Sequence, residues 1–243
     1  MVILMNILVT GSSKGIGAAI IKKFASKGWN VVINYNFSQK EAHDLETYIK
    51  RYNIKVLNIK CDVKDEVEVK NMFTKIKEEF GNLDVIVNNA GISLDNGLVN
   101  KDAKEFMTVV NTNLLGTYLV SKYGTKLLKE GSIINISSNN VYIGGIIESV
   151  DYDASKAGII ALTHDFARYL APKVRVNCIC PGWINTDMNK DLYIDYKKEE
   201  ENKILLKKFG EAEDIANVVY FLASKEAKYI NDTIIRVDGG YGH

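Results

Sequence analysis

Short runs of apolar residues alternate along the chain with stretches whose apolar positions recur every three or four residues. The apolar runs cover 7–10, 30–34, 55–59, 84–88, 132–137, 174–179 and 233–237. Each run has the length and composition of a strand that is buried on both faces. The stretches between them have the periodicity of amphipathic helices. This alternation predicts βαβ units, and therefore a Rossmann-type doubly wound parallel α/β sheet of about seven strands with helices on both faces.

The composition is that of a single domain that binds a small ligand. The 243 residues include only two prolines and no low-complexity linker, so we expect one domain over 1–243. Lys and Arg number 31 against 30 Asp and Glu. A net charge of +1 gives no overall field that would attract nucleic acid or an anionic membrane. No apolar run approaches the ~20 residues of a membrane span.

The three cysteines are too few for a disulfide framework and lack the spacing of zinc ligands. We expect them to be buried strand residues, and we expect no metal site. The apolar N-terminus has no basic segment or cleavage site and leads directly into a glycine turn, so we interpret it as a strand and not as a signal peptide. These features predict a cytoplasmic protein.

A glycine-rich turn, TGSSKGIG at 10–17, joins the first predicted strand to the first helix. Gly11 would allow a tight turn, Gly15 would let a pyrophosphate approach the backbone, and Gly17 would let the helix pack against the strand. The N–H groups at the helix N-terminus would face the anion. The motif alone is also compatible with a simple strand–helix joint.

Tyr152 and Lys156 are four residues apart in a predicted helix and therefore lie on one face. At about 5 Å and an effective dielectric constant of about 20, the ammonium would stabilise a phenolate by roughly 3 kcal/mol. This predicts a pKa of Tyr152 about two units below its usual value of ~10, which would make it a general acid. An exposed ion pair without a catalytic role is the alternative interpretation of the spacing alone.

Taken together, these motifs resemble the short-chain dehydrogenase/reductase family over essentially the whole chain. The matching segments are TGSSKGIG at 10–17, Asp62-Val63, NNAG at 88–91, Asn113 in VNTNLLG, Ser138 in INISS, Tyr152 with Lys156, and CPGWINTDM at 180–188. The resemblance implies an enzyme that reduces a ketone to a secondary alcohol with a nicotinamide cofactor, through Asn113, Ser138, Tyr152 and Lys156.

The resemblance also implies which residues bind the cofactor. They are Gly11, Ser13, Lys14, Gly15, Ile16, Gly17, Asn34, Tyr35, Asp62, Val63, Asn89, Ala90, Gly91, Tyr152, Lys156, Pro181, Gly182, Ile184 and Thr186. Asp62 and Val63 would lie beside the adenine, and Lys156 would hold the nicotinamide ribose. Ser138 would bind the substrate carbonyl, Tyr152 would exchange its proton, and Asn113 would fix a water molecule in the relay.

The residues after the second strand favour NADP(H) over NAD(H). A carboxylate there would accept a hydrogen bond from a ribose 2′-hydroxyl but repel a 2′-phosphate. The chain has neutral Asn34, Tyr35 and Asn36 at this place, and Lys14 in the glycine turn offers a positive charge. NAD(H) remains the alternative.

Within the family, the chain is most similar to the 3-oxoacyl-[acyl-carrier-protein] reductase branch. That similarity implies a ketone or acyl thioester substrate, with Lys129 and Lys173 near the cleft to receive acyl carrier protein. Another ketone, a sugar or a polyol is the alternative substrate. A nucleotide-binding sensor without catalysis is the alternative from another functional class.

Two further expectations concern motion and assembly. The charged stretch 189–210 also carries apolar residues, and we expect it to form a mobile substrate lid or, alternatively, an ordinary surface helix. The family resemblance implies a homotetramer. Its interfaces would use predicted helices over Asn113–Leu128 and Tyr152–Leu170, which carry excess apolar surface, together with the last strand.

Overall fold

The computed structural model describes residues 5–143, 149–189 and 192–242. Its central sheet is formed by β1 (Asn6–Val9), β2 (Asn30–Tyr35), β3 (Val56–Lys60), β4 (Leu83–Asn88), β5 (Leu128–Ile136), β6 (Val174–Pro181) and β9 (Ile234–Val237). The seven strands are parallel and follow the order β3-β2-β1-β4-β5-β6-β9. A separate parallel pair is formed by β7 (Ile184–Asn185) and β8 (Gly210–Glu211), which the sequence did not predict.

Nine α-helices lie in the described part of the chain. They are α1 (Gly15–Ser26), α2 (Gln39–Ile49), α3 (Glu66–Phe80), α4 (Ala103–Val110), α5 (Gly116–Gly124), α6 (Asn140–Ile143), α7 (Val150–Leu170), α8 (Ile194–Lys203) and α9 (Ala212–Ala223). None of them combines the length and the hydrophobicity that a membrane-spanning helix needs.

Two apolar cores cover the two faces of the sheet. On one face, residues of α1, α2 and α9 such as Phe24, Leu45 and Val219 pack against the strands. On the other face, residues of α3 and α5 such as Met72 and Leu119 do so. Alternate side chains of a strand point to opposite faces, which explains why consecutive residues such as Ile7–Val9 of β1 and Val85–Val87 of β4 are all apolar and buried. The predicted doubly wound α/β fold is therefore confirmed.

The strand order reverses between β1 and β4. The chain first builds β1, β2 and β3 in one direction and then returns to place β4 on the other side of β1. Ligands of doubly wound sheets bind outside the carboxyl ends of the strands at such a point. The glycine turn after β1 and the NNAG segment after β4 meet there.

The prediction of one continuous helix over Asn113–Leu128 is wrong. A π-helical turn over Asn111–Leu115 precedes α5, and α5 ends at Gly124. A Cβ on Gly124 would lie 2.2 Å from Ile86 Cδ1, so only glycine permits the close approach of this helix end to the sheet. Leu128 begins β5 instead.

The three cysteines are buried, as predicted, with exposed fractions of 0–2%. Among the described residues, no group of three or more His, Cys, Asp or Glu side chains is placed to hold a metal ion.

Candidate active site

The glycine turn has the backbone that its sequence predicts. Gly11 and Gly15 have φ angles of +59° and +56°, in the left-handed region that favours glycine. Lys14 precedes α1 and makes no capping hydrogen bond with its side chain, and the first turn of α1 has no acidic residue. The N-terminus of α1 therefore presents its N–H groups and positive dipole end without a competing carboxylate.

Hydrogen bonds between Thr10 and the segment after β4 hold this turn in place. Asn89 Nδ2 donates to the carbonyl oxygens of Thr10 and Gly11 at 2.9 and 3.0 Å. The backbone N–H groups of Asn89 and Ala90 both donate to Thr10 Oγ1 at 3.0 Å. A Cβ on Gly17 would lie 2.7 Å from Asn89 Nδ2, so the helix packs closely against this segment.

The side chain of Asn34 is buried and bonded within the protein, whereas the family resemblance implied a residue that contacts the cofactor. It is only 1% exposed. Its Oδ1 accepts from Gly11 N at 3.0 Å, and its Nδ2 donates to the Cys61 carbonyl at 3.0 Å. The amide is thus engaged within the protein and links the glycine turn to the end of β3. The following residue, Tyr35, is partly exposed at the end of β2.

The segment that follows β6, residues 182–186, contacts the glycine turn at Gly15. A Cβ on Gly15 would lie 3.6 Å from Thr186 Cγ2, which brings these two motifs together. Gly182 N donates to Val237 O at 3.0 Å, and a Cβ on Gly182 would lie 2.6 Å from Asp238 Cβ. Ile184 is 3% exposed, so its side chain belongs to the core and its backbone is the part that borders the cleft.

Asp62 and Val63, which the family resemblance places beside the adenine, follow the end of β3. Val63 is buried and packs against Gly116 of α5, where a Cβ would lie 2.6 Å from Val63 Cγ2. The Asp62 carboxylate is paired with Lys64. A cavity of about 390 Å³ lies beside them and is lined by Asp62, Lys64, Asp65, Glu68, Asn111 and Leu115.

The structure brings Ser138, Tyr152 and Lys156 together at the carboxyl end of β5. The Ser138 hydroxyl lies close enough to Tyr152 to lower the pKa of its phenol, and it accepts a hydrogen bond from the backbone N–H of Asn140 at 3.2 Å. Lys156 Nζ lies 5.4 Å from the centre of the Tyr152 ring and donates to the Ile136 carbonyl at 2.9 Å. Ser138 and Lys156 are 7% and 4% exposed and are therefore largely screened from water, whereas Tyr152 is partly exposed.

Asn113 lies in the π-helical turn and is fully buried. Its side chain exchanges hydrogen bonds with the backbone of Ile92, accepting from N at 2.8 Å and donating to O at 3.0 Å. Asn113 Nδ2 also donates to Ser155 Oγ at 3.0 Å, and Ser155 Oγ donates to the Tyr152 carbonyl at 2.7 Å. A Cβ on Gly91 would lie 3.4 Å from both Asn113 Oδ1 and Lys156 Nζ. A π-turn of this kind places one side chain outside the regular helical register.

The predicted pKa of Tyr152 is wrong in direction. Burial raises the pKa of Tyr152 to about 12, and this effect exceeds the opposing effect of Ser138. Burial also lowers the pKa of Lys156 to about 8. The sequence estimate included only the attraction between the two groups, whereas removal of both groups from water dominates.

Lys129 and Lys173 do not border the cleft of their own chain, contrary to expectation. Both are exposed, and they lie at the amino ends of β5 and β6. At ~3.3 Å per residue, nine residues separate Lys129 from Ser138 by roughly 30 Å. Parallel strands put their amino ends at the edge of the sheet opposite the active site.

Two residues that support the site were not identified from the sequence. Thr10 fixes the NNAG segment, and Ser155 links Asn113 to the Tyr152 backbone. Both lie inside the quoted motifs, but their hydrogen bonds depend on which strands and helices become neighbours.

The comparisons with known proteins agree with this geometry. A family model described as enoyl-(acyl carrier protein) reductase, adh_short_C2, matches residues 11–242. A short-chain dehydrogenase/reductase from Serratia marcescens covers 98% of both chains with 30% identity and a TM-score of 0.94. The chain belongs to the short-chain dehydrogenase/reductase family.

Relatives in the family include a 3-oxoacyl-[acyl-carrier-protein] reductase, FabG, from Staphylococcus aureus, with 41% identity over 237 residues that cover 96% of each sequence. The protein of the same name from Aquifex aeolicus is 37% identical and covers 96% of this chain and 95% of its own. A short-chain dehydrogenase from Burkholderia cenocepacia, solved in complex with NADP, has 32% identity, a TM-score of 0.92 and 97% coverage of both chains.

The residues present fit the nicotinamide dinucleotide that the family uses. The turn at Gly11 and Gly15 has a backbone that a side chain would strain. Gly91 leaves open space in front of Lys156 Nζ and Asn113 Oδ1, which a Cβ would enter. A helix N-terminus without an acidic residue in its first turn and a buried ammonium thus both lie at the carboxyl edge of the sheet, which suits a dinucleotide. The chain is an NAD(P)-dependent oxidoreductase.

Proposed function

We propose that this protein is an NADPH-dependent 3-oxoacyl-[acyl-carrier-protein] reductase, in which Tyr152 is the general acid. The observation that carries the proposal is the grouping of Ser138, Tyr152 and Lys156 at the carboxyl end of the sheet, with Ser138 near enough to lower the pKa of Tyr152 and Lys156 Nζ 5.4 Å from the Tyr152 ring centre. The name of the relatives from Staphylococcus aureus and Aquifex aeolicus supports the substrate class.

The two hydroxyl groups suit a carbonyl oxygen. Ser138 donates a hydrogen bond to that oxygen and orients it, and Tyr152 donates the proton that converts it to a hydroxyl group. The bound nicotinamide supplies the hydride that reduces the carbonyl carbon. Tyr152, with a pKa of about 12, is protonated at neutral pH and is ready to donate. The alkoxide that develops on the substrate is a stronger base than the Tyr152 phenolate, so the proton transfer from Tyr152 is favourable.

Lys156 lowers the free energy needed to remove the proton from the Tyr152 hydroxyl. With a pKa of about 8, it is charged at neutral pH, and its Nζ lies 5.4 Å from the Tyr152 ring centre. The ammonium stabilises the phenolate that forms and also faces the space for the nicotinamide ribose beside Gly91. Asn113 holds the Ile92 backbone next to this space and anchors the relay that returns a proton to Tyr152.

The proposed preference for NADPH rests on charge. Lys14 is exposed in the glycine turn, and the residues that end β2, Asn34 and Tyr35, and the following Asn36 are neutral. Residues 34–36 therefore offer a 2′-phosphate no carboxylate, and Lys14 offers it a cation, while Glu41, Asp44 and Glu213 line the pocket beside Lys14. The NADP complex of the relative from Burkholderia cenocepacia is in line with this preference.

Reduction of a carbon–carbon double bond is the second candidate, because the matching family model carries an enoyl reductase description. The two functions are separated by NADPH consumption with matched thioesters. We expect turnover of 3-oxobutanoyl but not 2-butenoyl groups on acyl carrier protein. Turnover of only the 2-butenoyl thioester would reject the proposal. Reduction of only a sugar ketone with NADPH, or oxidation of only a polyol with NADP⁺, would assign the protein to another branch.

We further propose a cytoplasmic homotetramer. Apolar side chains on α4, α5 and α7 are exposed in the isolated chain, among them Met107 (46%), Tyr118 (38%) and Tyr169 (81%). Contact between copies would remove this surface from water. The buried free thiols are those of a protein in a reducing compartment.

We also propose that the 189–210 stretch closes over the substrate. Residues 190 and 191 lie outside the described residues. Tyr193 and Ile194 are 86% and 69% exposed at the start of α8, where they are available to cover an apolar substrate. Glu200 anchors the other end of α8, because it accepts from Trp183 Nε1 at 3.0 Å and from the Tyr241 hydroxyl at 2.5 Å. Closure would therefore move the amino-terminal end of α8 most.

A further inference from the structure

A buried ion pair connects the cleft wall after β4 to the helix that carries Tyr152. Lys101 Nζ lies 2.8 Å from Asp151 Oδ2, and the two side chains are 2% and 0% exposed. Among the ion pairs of the described residues, this one has both members removed from water. The residues assigned above to catalysis and cofactor binding do not include either member.

Asp151 uses its two oxygens for two different neighbours. Oδ1 accepts from the backbone N–H of Tyr152 at 2.9 Å, in the first turn of α7, while Oδ2 accepts from Lys101. The carboxylate therefore fixes the backbone of Tyr152 at the point where the helix begins. A carboxylate is also favourable here because the N-terminal end of the helix dipole is positive.

Lys101 connects Asp151 to the segment between β4 and α4. Its Nζ donates to the Leu94 carbonyl as well as to Asp151. Leu94 belongs to the segment 92–102 between β4 and α4, and Ile92 at the start of that segment is bonded twice to Asn113. The segment is thus attached to Asn113 at one end and to the Tyr152 backbone at the other.

Stability does not explain this arrangement. The cost of removing two charges from water commonly equals or exceeds their attraction, and neutral replacements of similar size are often as stable. A buried pair does fix one geometry, because either charge left alone is strongly unfavourable. Proton transfer depends on such fixed geometry, and a displacement of about 1 Å can reduce a rate ~100-fold.

We propose that Lys101 and Asp151 are positioning residues for the proton transfer. They hold the Tyr152 backbone and the 92–102 segment in one relative position, so that the Tyr152 hydroxyl meets the carbonyl oxygen held by Ser138. This inference rests on the proposed role of Tyr152 as the general acid. It does not depend on which ketone is the physiological substrate.

The test is the double variant Lys101→Met/Asp151→Asn. Asparagine keeps an Oδ1 acceptor for Tyr152 N, and the two changes together leave no unpaired buried charge. With NADPH and ethyl acetoacetate, or any ketone that the unmodified protein reduces, we expect kcat to fall about 10- to 100-fold. We expect the solvent deuterium isotope effect on kcat to increase, because proton transfer becomes slower. The dissociation constant for NADPH and the unfolding midpoint should change little.

The matched control removes an ion pair at the surface of the protein, Glu46 of α2 with Lys50 directly after α2, whose charged atoms lie 3.0 Å apart and whose side chains are 19% and 61% exposed. Glu46→Gln/Lys50→Met should leave kcat and the isotope effect unchanged. If the Lys101/Asp151 double variant folds and retains kcat and the isotope effect, the inference is overturned. If that variant does not fold, Asp151→Glu keeps both charges but displaces the carboxylate by one methylene. A wild-type kcat for Asp151→Glu would equally overturn the inference.

A failure of the underlying function would look different. If the unmodified protein reduces no ketone, or if Tyr152→Phe retains full activity, the proposed function fails before the ion pair is tested. If Tyr152→Phe is inactive and the double variant is fully active, only the positioning role fails.

Discussion

Replacing Lys156 with methionine should make the protein more stable while removing its activity. Burial lowers the pKa of Lys156 from its usual value of 10.5 to about 8. At about 1.4 kcal/mol per pKa unit, a fall of about 2.5 means that the buried charge costs about 3 kcal/mol of folding free energy at neutral pH. Methionine has a similar length and no charge, and its loss of the 2.9 Å bond to the buried Ile136 carbonyl costs about 2 kcal/mol. The net gain is about 1 kcal/mol, or roughly 2–4 °C in Tm for a chain of this size.

The sign of the pH dependence follows from the lowered pKa. Below about pH 8, Lys156 is charged in the folded and unfolded protein, and the full cost of burial is present. Between about pH 8 and 10.5, the folded protein loses this proton first, so the unfolded state binds more protons and the stability of the unmodified protein rises with pH. The advantage of Lys156→Met should therefore be largest at neutral pH and shrink through this window.

The assay is urea unfolding of the cofactor-free protein, with and without the substitution, at about pH 7 and at about pH 10, which lies near the upper end of the window. The exposed Lys75→Met on α3 serves as the control and should change stability by less than about 0.5 kcal/mol at either pH. Equal or lower stability of Lys156→Met at pH 7, or an advantage that does not shrink with pH, would refute the reasoning.

Three other outcomes are expected. Lys14→Ala should weaken NADPH binding about tenfold and NADH binding little, because only NADPH carries the 2′-phosphate; fluorescence titration measures both, and equal losses would reject the role of Lys14. Sedimentation should show a tetramer that Tyr118→Glu dissociates into smaller species, and a stable, active monomer of the unmodified protein would contradict this. Amide exchange at 192–197 should slow when cofactor and substrate bind, and unchanged exchange there would argue against a lid.

The fold could be predicted because short segments of the sequence determine its main strands and the glycine turn. The middle residues of β1, β2 and β4 are all apolar and buried, as a sheet covered on both faces requires. The glycine turn needs positive φ angles, which residues other than glycine avoid. The helix end at Gly124 could not be predicted in the same way. It depends on contact with Ile86 of β4, which is distant in sequence.

The residues of the site could be proposed from sequence motifs. Their pKa values, and the residues that hold them in position, could not. The pKa of Tyr152 depends on how completely the folded chain removes it from water, and the sequence does not show this. Asn34 looks like a cofactor residue in sequence, yet the fold turns its amide toward Gly11 and Cys61. The ion pair between Lys101 and Asp151 spans 50 residues and has no local signal.

The most direct test of the central claim is the turnover of a 3-oxoacyl thioester by Tyr152→Phe. The account predicts that kcat falls about 10²- to 10⁴-fold, because only the proton donor is removed, while the dissociation constant for NADPH changes less than about twofold. Tyr142→Phe is the matched control, since Tyr142 is a half-exposed tyrosine of α6 near the same site, and it should retain the rate. A Tyr152→Phe variant that keeps the rate of the unmodified protein would contradict the account.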